Sequence, residues 1–351
     1  MMTLGVDAHK QIHVAVAVDE RGRALEKREG SNTEESWEWF LNWGRQWEER
    51  RWGIEGTGNY GRGLAHYLVG AGERVYEVNP RLTAQSRRRA RRSDKSDRLD
   101  ALAVARVVLR EEDELPLVVA KDDEAEALDV LSRERRRIKS QVDRLRNQLH
   151  QALFQADPQY RKAYPSLSRV GTVRRLEEYT SEVTTAVMRA RVSAVRRIAA
   201  MLRMALEQME ELTPEIEQLT RSSFGHLTEL QGVGLITAGK LAGILGTRRF
   251  ASEEGFAAYA GAAPLETSSA GRVRHRLNRS GNRRLNSVLY MMALTQWSHG
   301  GQGRHYIERK MSEGRSWLEA VRALKRYMAR RIWRLWERHY GRLAPAKNPS
   351  V

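Results

Sequence analysis

The stretch LGVDAHKQIHVAVAVDERGRALEKREG, residues 4–30, decides how this chain begins to fold. Ile12, Val14, Val16 and Val18 recur at every second position, the period that puts side chains on one face of a strand. Arg21-Gly22 supplies a turn, and Ala24–Arg28 follows as the returning strand. Asp7 lies in the segment before the hairpin, between Leu4 and Val6 on one side and a lysine-bearing turn on the other. Three strands with an antiparallel start are expected.

Beyond them, Ser31 to Arg50 reads as an amphipathic helix, with Trp37, Phe40, Leu41 and Trp47 near helical spacing. RWGIE, residues 51–55, is a short strand. GTGNYGRG then turns into a helix over Leu64–Val69, and Glu73–Val78 is a further strand closed by Asn79-Pro80. The order β-β-β-α-β-α-β-α gives a mixed α/β sheet of the kind found in RNase H-like nucleases. A fold analogy does not carry a function, so the chemistry must come from the side chains.

Composition narrows the partners. The 351 residues allow two or three domains, and 61 Lys+Arg against 44 Asp+Glu leave a net charge of +17. Such an excess points to nucleic acid or an anionic membrane surface. No apolar run approaches the ~18–20 residues of a spanning helix, and the opening residues do not read as a signal peptide. A cytoplasmic protein facing nucleic acid, without a membrane partner, is expected. With no cysteine and nine scattered histidines, any metal would be held by oxygen or imidazole, with oxygen leading.

The middle of the chain changes period. Leu131, Ile138, Val142, Leu145 and Leu149 fall at helical 3–4 spacing. So do Val195, Ile198, Leu202, Ala205, Met209, Leu212, Ile216 and Leu219. Two long helices with a coiled-coil seam are expected, closing on each other or on a second chain. Pro214, after Thr213 as an N-cap, would kink or restart the second. LTELQGVGLITAGKLAGILG, residues 227–246, puts Gly-Val-Gly between two apolar segments, as in a helix-hairpin-helix or a plain helix-turn-helix corner. The expected organisation is an α/β catalytic domain over 1–115, a helical region over 116–223 and a mostly α domain over 224–345, with a tail at 346–351.

Four acids stand out from this frame. Asp7 and Glu55 sit at strand ends, while Asp97 and Asp100 are three apart and share a helix face. A cluster of four carboxylates repels itself unless divalent cations enter it, and hard oxygen ligands suit Mg²⁺ or Mn²⁺. Around Asp97 and Asp100, RRRARRSDKSDRLDA, residues 87–101, opens with Arg87, Arg88, Arg89, Arg91 and Arg92. These would gather a phosphate backbone beside the metal, with Asp94 as an ion-pair partner of the arginines. Read singly, each acid is as well explained as an edge residue or an ion-pair partner.

In that order, GVDAHK, IEGTGNYG and KSDRLDA resemble the signature segments of the DEDD transposases of the IS-110 insertion-sequence group. The stretch from GVGLITAGKLAGILGTRRF through FAAYAGAAPLETSSAG to SGNRRLNSVLYMMAL is similar to that group's second domain. The resemblance covers roughly two-thirds of the chain. It implies a RuvC-like N-terminal domain in which Asp7, Glu55, Asp97 and Asp100 form the catalytic, metal-binding tetrad. It also implies a serine nucleophile in a loop of the form P-x₄-S-G. Here PLETSSAG, residues 264–271, places Ser269 at that position, with Ala270 where the glycine belongs and Ser268 as the alternative. From the residues alone, this stretch reads as a polar loop. Arg272, Arg274, Arg276, Arg279, Arg283 and Arg284 surround it and suit phosphate contacts.

The resemblance therefore implies a bacterial transposase acting on donor and target DNA, guided by a structured non-coding RNA. It would work as a dimer or tetramer whose active site combines tetrad and serine from different subunits. The two rival readings are a water-using junction nuclease with the same tetrad and a non-catalytic nucleic-acid-binding protein.

Overall fold

The alternation in residues 4–30 folds into β1 (Met2–Ala8), β2 (Ile12–Val18) and β3 (Ala24–Ser31). The computed structural model of the chain describes residues 1–89, 97–120, 122–182, 185–269, 272–277 and 281–341. Thr33 N-caps α1 (Glu34–Gly44), its side chain accepting from the Ser36 backbone N–H. β4 (Arg50–Glu55), α2 (Arg62–Gly70), β5 (Val75–Val78), α3 (Pro80–Arg89) and α4 (Asp97–Glu111) follow. The element order up to α3 is the one the sequence implies.

The sheet has the order β3-β2-β1-β4-β5, extended by two short strands, β6 (Leu117–Val118) and β7 (Arg248–Arg249). β1 is antiparallel to β2 and parallel to β4, and β4 is parallel to β5. This seven-stranded mixed sheet, followed by a mostly helical chain, is the arrangement expected of a RuvC-like N-terminal domain.

Strand parity sorts the side chains between two faces. Leu4, Val6, Ala15, Ala17, Trp52 and Ile54 pack with Phe40, Leu41, Leu64 and Leu68 of α1 and α2. On the other face Val14, Val16 and Val18 meet Ala101 and Ala105 of α4, and Tyr76 and Val78 meet Val104, Val107 and Val108. Gly5 and Gly53 lie on this second face, where α4 comes in very close. A Cβ at Gly5 would stand 2.3 Å from Ala101 O, and one at Gly53 2.3 Å from Val108 Cγ2. Only glycine lets the helix backbone rest this near the strands.

Two compact units divide the chain: Met1–Glu126 with His226–Gly234 and Ile244–Val351, and Ala127–Gly225 with Leu235–Gly243. The second unit is built on α5 (Asp123–Ala156), α6 (Val170–Leu176) and α7 (Ala186–Phe224). Ile138, Val142, Leu145 and Leu149 share one core there with Val195, Ala199, Leu202 and Ala205, so the two apolar seams meet within one chain. Pro214 does not restart the second helix, because α7 runs through it. Thr213 turns its Oγ1 back onto Met209 O at 2.7 Å instead of capping a new start. α8 (Leu235–Leu245) approaches α5 and α7 through Gly239 and Gly243, where a Cβ would strike Thr220 and Asp129.

In the first unit α9 (Glu253–Tyr259) leads into a two-stranded ribbon of β8 (Pro264–Ser269) and β9 (Arg272–Leu277). Three helices complete it: α10 (Arg283–His299), α11 (Gln302–Ser312) and α12 (Trp317–Tyr340). Gly-Val-Gly is a turn, with Gly232 at φ +84°, between a short 3-10 segment (Gly225–Glu229) and α8. Among the described residues, no helix is long and apolar enough to cross a membrane.

Candidate active site

Three elements converge at one end of the central strands. The parallel register of β1 and β4 sets Asp7 directly beside Glu55, each at the C-terminal end of its strand. Both share the face of Gly5 and Gly53, two residues back, so they lie on the α4 side. The first turn of α4 carries Asp97 and Asp100, where the helix N-terminus favours negative charge. The glycines thus do more than pack. They set how near the helix carboxylates come to the strand carboxylates.

The geometry is tight. His9 Nε2 lies 3.1 Å from Asp7 Oδ2 and 3.6 Å from Asp97 Oδ1. Asp7, His9 and Asp97 each offer a ligand atom within 4.8 Å of the others. Asp7 and Asp100 are buried, at 6% and 7% exposure, whereas Asp97 is open to solvent. Glu55 Oε2 accepts a 2.8 Å hydrogen bond from Thr83 Oγ1, on α3 and fully buried. Beyond Glu55 the chain turns sharply: Gly56 has φ +80°, and Gly61 N–H returns to Gly56 O at 3.1 Å.

Burial pushes the Asp7 carboxyl above the usual carboxylate range; His9 pulls it down, and Asp100 and Asp97 push it up again. A buried carboxylate crowded by like charges is a site that a cation would relieve. The donors are carboxylate oxygens with one imidazole, at oxygen-rich spacing, which fits a hard divalent ion.

Of the four acids expected from the sequence, Asp7 and Asp97 fall in this close cluster. Glu55 adjoins it through the strand register, and Asp100 through its charge on Asp7. His9 and Thr83 are the additions. His9 stands two residues after Asp7, just past the end of β1, so its approach to Asp7 is set by the turn that follows the strand. Thr83 gave no signal, since nothing in its neighbourhood marks it as the partner of a residue 28 positions earlier.

PLETSSAG is not a polar loop over most of its length. Residues 264–269 form β8, in register with β9, which places Ser268 opposite Val273 and Ser269 opposite Arg272 at the end of the ribbon. In VRHRL, residues 273–277, arginine alternates with Val273, His275 and Leu277, the two-residue period of a strand. Arg274 and Arg276 stand on β9, opposite Thr267 and Leu265. Arg87, Arg88 and Arg89 are the last turn of α3, and Arg283 and Arg284 the first of α10. Arg91, Arg92, Asp94 and Arg279 lie outside the described residues.

The feet of the ribbon are stapled together. Gly281 passes so near Gly261 that a Cβ would meet its N at 2.3 Å. Asn282 N–H donates to Tyr259 O at 2.6 Å, its Nδ2 donates to Tyr259 Oη at 2.7 Å, and its Oδ1 caps α10. Asn286 Nδ2 donates to Ala260 O and Gly261 O, at 2.9 and 3.1 Å. Lys325 of α12, buried at 6% exposure, donates to Asn286 Oδ1 at 2.7 Å. Burial lowers the Lys325 ammonium to about 8, and full burial raises Tyr259 well above the usual phenol range. Both ends of the ribbon are therefore fixed to one helical base.

Comparison with known proteins agrees with this architecture. A transposase model of the DEDD type matches residues 4–158, and the model "Transposase IS116/IS110/IS902 family" matches residues 225–308. Together they span more than half of the chain. The "Insertion element IS116 uncharacterized 44.8 kDa protein" of Streptomyces clavuligerus is 26% identical, over 95% of this chain and 93% of its own length. The first match covers the carboxylate cluster and the second the ribbon with α9 and α10, and on this ground the chain belongs to the IS116/IS110/IS902 family of transposases.

Proposed function

We propose that the protein cuts and rejoins DNA at the ends of an insertion sequence, through a transient serine–DNA phosphodiester. The observation that carries this reading is the pairing of Asp7 with Glu55 across parallel strands, with Asp97 and Asp100 brought over them by α4. Asp7, Glu55, Asp97 and Asp100 would hold Mg²⁺ or Mn²⁺, with His9 beside Asp7 and Asp97. Bound there, the ions would supply charge neutralisation at phosphorus and activation of the attacking hydroxyl.

In the first step Ser269 Oγ attacks phosphorus. A P–O(Ser) bond forms, the P–O bond to one deoxyribose breaks, and the departing oxygen takes a proton as a free hydroxyl. In the second, a deoxyribose hydroxyl attacks the same phosphorus and the serine regains its proton. The number of phosphodiester bonds is conserved, so rejoining needs no ATP. Ser268 is the alternative nucleophile. Arg87, Arg88, Arg89, Arg91, Arg92, Arg272, Arg274, Arg276, Arg279, Arg283 and Arg284 would engage phosphates.

The family resemblance further supports guidance by a structured RNA and a dimer or tetramer, with tetrad and serine drawn from different subunits. A bacterial cytoplasmic protein associated with the nucleoid is the matching location. The domains at 1–115, 116–223 and 224–345 would divide the labour as catalytic, connecting and serine-bearing parts.

The test is adduct formation on element-end DNA in Mg²⁺. Ser269→Ala should bind DNA yet trap no covalent adduct, with Ser268→Ala much milder. The reverse ranking moves the nucleophile to Ser268. Adducts on a protein lacking both serines would reject a serine nucleophile, and cleavage by wild type with no adduct would leave a water-using junction nuclease. Mixing Ser269→Ala with Asp7→Ala protein should restore adducts if the site is shared between subunits, and cannot if each chain holds a whole site.

A further inference from the structure

α10, α11 and α12 enclose a cavity of about 250 Å³ in the first unit, well away in sequence from the tetrad and the ribbon. Its walls hold Tyr306 and Tyr327, whose rings lie 6.4 Å apart between centroids and only 19° from parallel. Arg309 and Arg331 also line it, with the amides of Gln231 and Gln302. Arg309 stands 5.3 Å from the centre of the Tyr306 ring, and Lys310 Nζ 5.9 Å from it. Gln296, also in the lining, is buried and its Nε2 donates to the Gln231 backbone O at 2.6 Å. Tyr327 is half exposed, so the cavity opens to solvent on its side.

Each feature selects the same chemistry. Two near-parallel rings at this separation suit a flat π-system lying along them. Guanidinium groups beside the rings suit an anion attached to that π-system. Amide groups offer donors and acceptors to the polar edge of a heterocycle. An apolar protein side chain would need neither the guanidiniums nor the amides. We propose that this cavity takes an unpaired base of single-stranded DNA, stacked against Tyr306 and Tyr327, with its phosphate held by Arg309 and Arg331. The proposal rests on the reading of the protein as a DNA strand-exchange enzyme, because cutting and rejoining leaves bases unpaired beside the break.

The test uses the full-length protein and oligodeoxythymidine carrying one 2-aminopurine, whose emission falls when it stacks. Wild type should quench the probe. Tyr306→Leu and Tyr327→Leu should lose the quenching and bind the strand roughly 5- to 100-fold more weakly, as removal of one base-stacking contact does. Tyr327→Phe should retain both, and duplex DNA of matched length should bind all four proteins alike. Single-strand affinity and quenching unchanged in Tyr306→Leu and Tyr327→Leu would overturn the proposal while leaving the strand-exchange reading intact. An equal loss on duplex would overturn it too, since the tyrosines would then serve the fold or the backbone. Quenching of the matching oligoribonucleotide but not of the DNA strand would assign the pocket to RNA and likewise overturn it. If wild type bound neither single strands nor duplex, the strand-exchange reading itself would fall, and this proposal with it.

Discussion

Replacing Gly5 by alanine probes how the fold makes the site. The added Cβ would lie 2.3 Å from Ala101 O and Ala105 N and 2.7 Å from Ala105 Cβ. Ordinary contact begins near 3.4 Å, so α4 must retreat from β1 by about 1 Å. The partners are helix backbone, which cannot swing aside as a long side chain would. Overpacking of this kind costs about 1–3 kcal/mol, a fall of roughly 2–10 °C in melting temperature for a unit of this size. The larger consequence is chemical. Asp97 and Asp100 ride on α4, so the same movement opens the cluster around Asp7, and a displacement near 1 Å costs about 10²-fold in rate. The assays are thermal unfolding and strand exchange on element-end DNA, with Gly70→Ala as the control. Nothing lies within 4 Å of a Cβ at Gly70, so that variant should match wild type in both. A Gly5→Ala protein that melts and recombines like Gly70→Ala would refute the claim that helix approach sets the site.

Two further outcomes follow from charge. Binding to DNA should be steeply salt dependent: if ~6–10 phosphates are neutralised, affinity should fall about 10³–10⁵-fold between roughly 50 and 200 mM salt. A flat response would mean that the excess of +17 serves something other than phosphate. Lys325 should leave a mark on stability at alkaline pH. Its folded value of about 8 lies below the ordinary 10.5, so across that window the unfolded chain holds a proton that the folded one has released. Stability from this group therefore rises with pH through the window, by at most roughly 3 kcal/mol. Thermal unfolding of wild type against Lys325→Met should show the difference shifting in favour of wild type between about pH 8 and 10.5. A difference that does not vary with pH would show the lysine to be solvated.

The order of strands and helices up to α3 was legible because alternation in residues 12–18 and helical spacing in α1 are both strong local signals. β6 and β7 were not. Each has two residues, and β7 is an arginine pair that reaches the sheet from more than a hundred positions further on. The ribbon was hidden for another reason. Ser-rich and Arg-rich stretches read as loop, and only the pairing of Pro264–Ser269 with Arg272–Leu277 makes them strands. Pro214 misled because a helix can pass through proline when tertiary packing holds it. Ile216 and Phe224, just beyond it on α7, are fully buried. At the site itself, residue type and order pointed to Asp7, Glu55, Asp97 and Asp100. The hydrogen bond from Thr83 and the close approach of His9 depend on the turn after β1 and on the placement of α3, which no local pattern encodes.

In the proposed mechanism a divalent ion would be held by the carboxylates at the ends of β1 and β4 and the start of α4. Calorimetric titration of Mn²⁺ into metal-free wild type and Asp7→Asn protein measures this directly. Saturable binding in wild type that is lost in Asp7→Asn, with both proteins folded alike, is the predicted result. Equal Mn²⁺ binding by the two proteins would contradict it and leave the acids at these strand ends with a structural role.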